Sequence, residues 1–284
     1  MITCGMKIRS LEQTPLADVV EALLVAFADY FVKFPTEISY WEKRFRLSRV
    51  RWDLSYGHFV ADRLVSFIIN GVDERGGQRI AFNTGTGVYP DYRGRALVDQ
   101  LYERAFSHFR AAGITHCQLE VIQENTRAIA VYQRIGFSID RGLCLWKGAL
   151  RRSEWKGRVE ATDFAWVRAQ NAALERYCAW DNTNAAVDQL GEEVSSFRVW
   201  DQSGQPLGYF LAKAREERCL LVQFEAWEGR WEALLAAIAQ QYPGGVTANV
   251  DDRRPQVLAA LKRAGCTSVI DQYEMSMAIP DVGK

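Results

Sequence analysis

This chain of 284 residues has only three histidines, and none of its six cysteines forms a C-x-x-C pair. Zinc-ligand spacings are therefore excluded, and no metal is expected. There is no excess of either charge: 35 basic side chains balance 35 acidic ones. Nucleic-acid and membrane-surface partners normally call for a basic excess, so neither is expected. There is also no long apolar run. The most apolar early stretch, VVEALLVAFADYFV, is broken by Glu21 and Asp29 and is too short to span a bilayer. MITCGMKIRS lacks the apolar core of a signal peptide. The cysteines at 4, 117, 144, 178, 219 and 266 then read as reduced thiols of a cytoplasmic protein.

What is present is the mixture of a globular protein, 48% hydrophobic and 25% charged, long enough for two domains. Helices are predicted over 15–32 and 36–49. Residues 58–71 read as a hairpin with a tight turn near Asp62, and 79–88 as a strand ending in glycine and threonine. An apolar repeat at Leu97, Leu101, Ala105 and Phe109 predicts a helix that stops at Gly113. A strand over 116–122, a helix capped by Asn125 and a strand to about Trp146 follow. Residues 148–158 read as a linker. The second half repeats the order: two helical segments in 161–190, a hairpin turning at Ser203-Gly204, then strand, helix, strand, helix. A shift of 129 residues lays Arg134-Ile135-Gly136 on Arg263-Ala264-Gly265. The chain is therefore expected to be α/β, with a mixed α+β sheet duplicated in domains 1–147 and 159–284.

The chemistry concentrates where a strand meets a helix, at YPDYRGRALVDQLY (89–102). A helix start leaves backbone N–H groups without partners and carries partial positive charge, which suits a phosphate. Gly94 permits close approach, and Arg93 and Arg95 add charge-assisted donors. An ordinary turn with solvated charges is the alternative. After the next strand, Asn125 opens a helix that carries Ala128, Ile129 and Tyr132 on one face. Alone, Asn125 is a helix cap and Tyr132 a half-buried core aromatic. A parallel crossover points both helix starts to the same end of the sheet, so loop, amide and phenol converge.

Residues 88–97 (VYPDYRGRAL) and 119–137 (LEVIQENTRAIAVYQRIGF) resemble two motifs of the GNAT superfamily of acyl-CoA-dependent acyltransferases. The resemblance is specific over about 58–147 and loose elsewhere. It implies two tandem GNAT-like folds and acetyl-CoA, or another acyl-CoA, as co-substrate. It implies that Arg93, Gly94, Arg95, Ala96, Leu97 and Val98 wrap a pyrophosphate with backbone amides. It places Asn125 and Ala128 near the pantetheine arm and makes Tyr132 the acid that protonates the leaving thiolate. A backbone N–H near Thr86, Gly87 and Val88 would face the oxyanion. Glycines at 85 and 87 would let the ligand lie close. A tyrosine pKa of about 10 keeps the phenol protonated at neutral pH. Ala96 and Val98 stand where that motif usually has glycine-like residues; Ala96 keeps its amide in a helical backbone, and Val98 shifts the loop or packs inward.

The resemblance also implies a primary amine as acceptor, on a small molecule or peptide. Its base is open. Glu120 is a candidate, or a structural hydrogen-bond partner; Asp73, Glu74, His58 and a water relay are others. In the second half the shift puts Leu261 at the place of Tyr132 and Arg254 at that of Asn125. Glu225 and Glu228 fall where a phosphate needs positive charge. That half is expected to keep the fold without the cofactor site. Six of the nine tryptophans lie there and read as core or interface residues, or as walls of an acceptor pocket. Two competing functions are a non-catalytic acyl-CoA-binding module and a Fem-type peptidyl transferase; the absence of a basic block argues against the second.

Overall fold

The computed structural model describes residues 5–29, 33–151 and 155–280. Cys4 and the last residues of the first predicted helix, 30–32, lie outside them, as do 152–154 of the expected linker. The first half runs β1 (Lys7–Ser10), α1 (Leu16–Ala26), α2 (Ile38–Leu47), β2 (Tyr56–Val60), β3 (Arg63–Arg75), β4 (Gln78–Val88), α3 (Leu97–Ala111), β5 (His116–Ile122), α4 (Thr126–Ile135) and β6 (Ser138–Gly148). The second runs β7 (Arg158–Thr162), α5 (Phe164–Asn171), α6 (Asn184–Leu190), β8 (Ser195–Trp200), β9 (Pro206–Arg215), β10 (Arg218–Ala226), α7 (Trp231–Gln241), β11 (Gly245–Asp251), α8 (Pro255–Arg263) and β12 (Thr267–Ala278).

By contacts the chain divides into two compact units. One holds the residues up to Asp140 and those from Glu274 onward; the other is Arg141–Tyr273. In the first unit the strands lie in the order β1-β2-β3-β4-β5, and in the second β7 to β11 repeat that order. Each unit then borrows its next strand. β6 pairs antiparallel with β11 from Val246↔Gly148 to Asp251↔Leu143. The end of β12, from Glu274, lies beside β5. Shifted by 129 residues, β6 falls on β12, so two equivalent strands have changed places. The contact division differs in this respect from the expected boundaries, which kept residues up to 147 in the first domain and 274–284 in the second.

The duplication is visible in the ladders. β4 pairs parallel with β5 over four positions, Ile80↔His116 to Asn83↔Leu119. β10 does the same with β11, Arg218↔Gly245 to Leu221↔Ala248. On β11 the offset is 129 (245 − 116), as the sequence shift has it; on β10 it is 138 (218 − 80). Beyond that ladder each central strand carries a bulge, at Thr84 in β4 and Val222 in β10. A bulge inserts one residue, bends the strand and ends its pairing on one side. β4 therefore leaves β5 after Asn83 while staying paired to β3 as far as Val88. The gap so opened positions the site.

In the first unit Val19, Val20 and Leu23 of α1 and Trp41 and Phe45 of α2 pack on Phe67 and Ile69 of β3. On α3 the predicted apolar repeat is buried, Leu101, Ala105 and Phe109 being fully inaccessible. The hairpin turn near Asp62 is two residues long, with Ala61 and Asp62 both at positive φ, as the right-handed twist of the flanking strands requires.

Candidate active site

Past the bulge, the end of β4, the loop after it and the first turns of α3 and α4 enclose a cavity of about 610 Å³. That is the size of a site for a small molecule or cofactor. The sequence-predicted residues Thr86, Gly87, Val88, Arg93, Gly94, Arg95, Ala96, Leu97, Val98, Asn125, Ala128 and Tyr132 all line it. Residues 46 positions apart in sequence (132 − 86) meet here because two strand-to-helix junctions open at the same end of the sheet.

Among the described residues α3 begins without a side-chain cap: its N-cap is Ala96, whose methyl group cannot bond the backbone N–H groups of the first turn. The residues that carry those groups, Leu97, Val98 and Asp99, line the cavity. Four arginines (Arg93, Arg95, Arg127, Arg134) line the cavity against two aspartates (Asp29, Asp99), an excess of two positive charges (4 − 2). An uncapped helix start and surplus cations fit a polyanion such as a pyrophosphate.

The Arg93 side chain, expected to donate to a phosphate, lines the cavity but is also bonded within the protein. Its guanidinium grips Asp29 with two bonds, at 2.6 and 2.8 Å, and also donates to Ala26 O at 2.9 Å and Val88 O at 3.3 Å. Arg93 thus staples the end of α1 to the loop and holds the Asp29 carboxyl down at about 2. Arg134 is likewise held by Asp99, at 2.8 and 2.7 Å. The surplus charge sits on Arg95, which rests over the Tyr92 ring, and on exposed Arg127. Sequence reasoning missed Arg127. Its place two residues after the Asn125 cap, in the first turn of a helix aimed at the site, was the available signal.

Ala96 corrects an expectation. Its backbone is not helical; it is the N-cap of α3 at φ 51°, ψ 33°, in the left-handed region. This position takes the conformation a glycine would supply, at the strain an alanine incurs there. Ala96→Gly should raise stability by roughly 0.5–1 kcal/mol, after the added unfolded-state entropy of glycine is subtracted. A thermal melt showing no rise in Tm would refute this. Val98 packs inward, only 8% exposed.

Gly87, which lines the cavity, also has a packing role. A Cβ there would lie 2.4 Å from the Phe67 ring and 2.8 Å from Ala26. Asn125 is a true cap, its side-chain oxygen accepting from Ala128 N at 3.2 Å, which leaves its NH2 for a ligand. Tyr132 is 8% exposed, with its ring 5.8 Å from that of Phe137.

None of the named base candidates lines the cavity. Along β5, Cys117, Leu119 and Val121 are buried, so strand alternation puts Glu120 on the opposite face. His58 is buried between Ser66 Oγ (2.8 Å) and Gln100 Oε1 (3.3 Å), and burial lowers its pKa. Asp73 pairs with Arg49 at 3.1 Å, and Glu74 follows it on β3.

The second unit fills the equivalent gap with its own side chains. Arg254, at the place of Asn125, is ion-paired to Glu225. Burial raises the Glu225 pKa and Arg254 opposes the rise. Gln223 bonds Asn171 at 2.6 Å, Asn182 O at 2.8 Å and Asn184 at 3.1 Å. About 30 Å³ remains beside them.

Residues 20–137 match the model of the acetyltransferase (GNAT) family. Three solved structures have a similar fold over nearly all of this chain. A GCN5-related N-acetyltransferase from Sphaerobacter thermophilus is 14% identical, with a TM-score of 0.71, covering 97% of this chain and 96% of its own. A tandem GNAT protein from the clavulanic acid biosynthesis pathway is 11% identical, with a TM-score of 0.66, covering 98% and 100%. A GCN5-related N-acetyltransferase from Kribbella flavida is 17% identical, with a TM-score of 0.61, covering 96% and 70%. At these identities the likeness is one of fold.

Proposed function

We propose, from the premise that residues 20–137 belong to the acetyltransferase (GNAT) family, that this chain is an N-acetyltransferase acting on a primary amine. The observation that carries the reading is the shared cavity: an uncapped helix start, surplus arginines, the Asn125 amide and the Tyr132 phenol line one gap between splayed parallel strands. The amides of Leu97 and Val98, with Arg95 and Arg127, would hold the pyrophosphate of acetyl-CoA. Bound there, acetyl-CoA supplies a thioester activated for attack.

The chain's own part is to position and to move protons. The Asn125 NH2 orients the ligand's arm. Attack by the amine nitrogen forms a C–N bond and breaks the C–S bond. Tyr132 gives its proton to the sulfur, the proton lost by the nitrogen passes to solvent, and solvent returns a proton to the Tyr132 phenolate. The filled gap around Glu225, Arg254 and Gln223 supports a division of labour in which only the N-terminal domain binds acyl-CoA.

Calorimetry with acetyl-CoA, followed by thiol-release assays over a panel of primary amines, tests this. Saturable binding at one site per chain and amine-dependent thiol release are expected. Absence of binding heat with the wild type would remove the acyl-CoA reading.

A further inference from the structure

We infer that Thr86 presents the cavity with a hydroxyl that accepts hydrogen bonds only, and so selects an N–H donor on the bound ligand. The inference rests on the acyl-CoA reading above. Two N–H sources then exist: an amide of the cofactor's pantetheine arm, or the acceptor amine.

The bulge at Thr84 creates the arrangement. Residues 83 and 86 would ordinarily point to opposite faces of a strand, being an odd number apart. The extra residue restores the phase, so Asn83 and Thr86 share a face: Asn70 pairs with Asn83, and Ile68 with Thr86. On that face a chain of hydrogen bonds runs inward. Thr86 Oγ1 lies 2.8 Å from Asn83 Oδ1, Asn83 Nδ2 lies 3.3 Å from Asn70 Oδ1, and Asn70 Nδ2 lies 2.8 Å from Leu54 O. Asn70 is 1% and Asn83 6% exposed, so water does not interrupt the chain.

Its direction is fixed at the inner end. A backbone carbonyl can only accept, so Asn70 must turn its NH2 to Leu54. Its oxygen then faces Asn83, which must turn its own NH2 inward and its oxygen to Thr86. The Thr86 proton is committed to that oxygen. What remains for a ligand is a pair of lone pairs on a residue lining the cavity. An oxyanion is repelled there, while an amide N–H or an amine is held.

Thr86→Val keeps the shape and deletes the lone pairs; Thr86→Ser keeps them. Both variants are compared with wild type by acetyl-CoA calorimetry and by thiol release with the amine varied, with a thermal melt to establish folding. If the donor is on the cofactor, Thr86→Val raises the acetyl-CoA Kd by about 5- to 10-fold and Thr86→Ser restores it. If it is on the amine, Kd is unchanged and KM for the amine rises by a similar factor, again with Thr86→Ser restoring it. Either pattern supports the inference. Wild-type constants in Thr86→Val, or equal losses in both variants, overturn it while leaving the acyl-CoA reading intact. A wild type that binds no acetyl-CoA overturns both.

Discussion

Replacing Tyr132 by phenylalanine is expected to lower amine-dependent thiol release by about 10²-fold or more at neutral pH, with acetyl-CoA binding unchanged. The expectation follows from what the substitution keeps and what it removes. Tyr132 lies on α4 with its ring edge-on to Phe137, and a phenylalanine ring preserves that contact and the helix. Only the hydroxyl is lost. A departing thiolate without a proton donor leaves more slowly, and a positioned general acid contributes about 10²–10⁴-fold. The loss should fall on kcat, because the proton moves as the C–S bond breaks and ground-state binding is untouched. Turnover in the variant equal to that of wild type would require Tyr132 to be dropped as the acid.

The convergence of loop, Asn125 and Tyr132 was legible in the sequence because local signals set it. A strand end, a helix cap and a 3.6-residue repeat each lie within a short stretch of chain. What was missed depends on distant partners or on a conformation that propensity disfavours. The pairing of Arg93 with Asp29 was not legible because Asp29 lies 64 residues away in sequence. Ala96 looked helical because alanine prefers helix, yet the loop imposes a left-handed backbone. For Glu120 the alternation of buried residues in HCQLEVI already assigns it to the face opposite Cys117, Leu119 and Val121, the placement that its alternative reading as a structural hydrogen-bond partner accommodates. β7 escaped because RVEAT is polar and mostly exposed, so it carries no apolar alternation. The exchange of β6 and β12 could not be read at all. A strand's own pattern says which face is buried, not which neighbour it pairs with.

In the second unit, Arg141→Met is expected to lower stability by about 3 kcal/mol or more, measured by urea denaturation. Arg141 and Asp251 have side chains 1% and 0% exposed and meet at 2.6 Å. Arg141 also donates to Arg176 O at 2.8 Å and Cys178 O at 2.9 Å. Methionine fills much of the space but satisfies neither carbonyl, and it leaves Asp251 with only the half-exposed Arg253, at 2.7 Å. Breaking one side of a buried pair costs about 3–5 kcal/mol, and the surviving Arg253 contact places this case at the lower end. The pH dependence follows from the same groups. Burial pushes the Asp251 pKa up, but bonds from Arg253 and Arg141 outweigh it and the net shift is downward. A carboxyl whose folded pKa lies below its unfolded value contributes stability above the unfolded value, near 4, that is lost as pH falls through the folded one. Without Arg141 the folded pKa moves up toward the unfolded value, so the variant, less stable at neutral pH, should lose less further stability through Asp251 as pH falls below about 4. Replacing both partners with apolar residues should recover part of the loss, since the desolvation cost of the pair disappears with it. A single variant with the urea midpoint and acid profile of wild type would mean that Arg253 alone compensates Asp251.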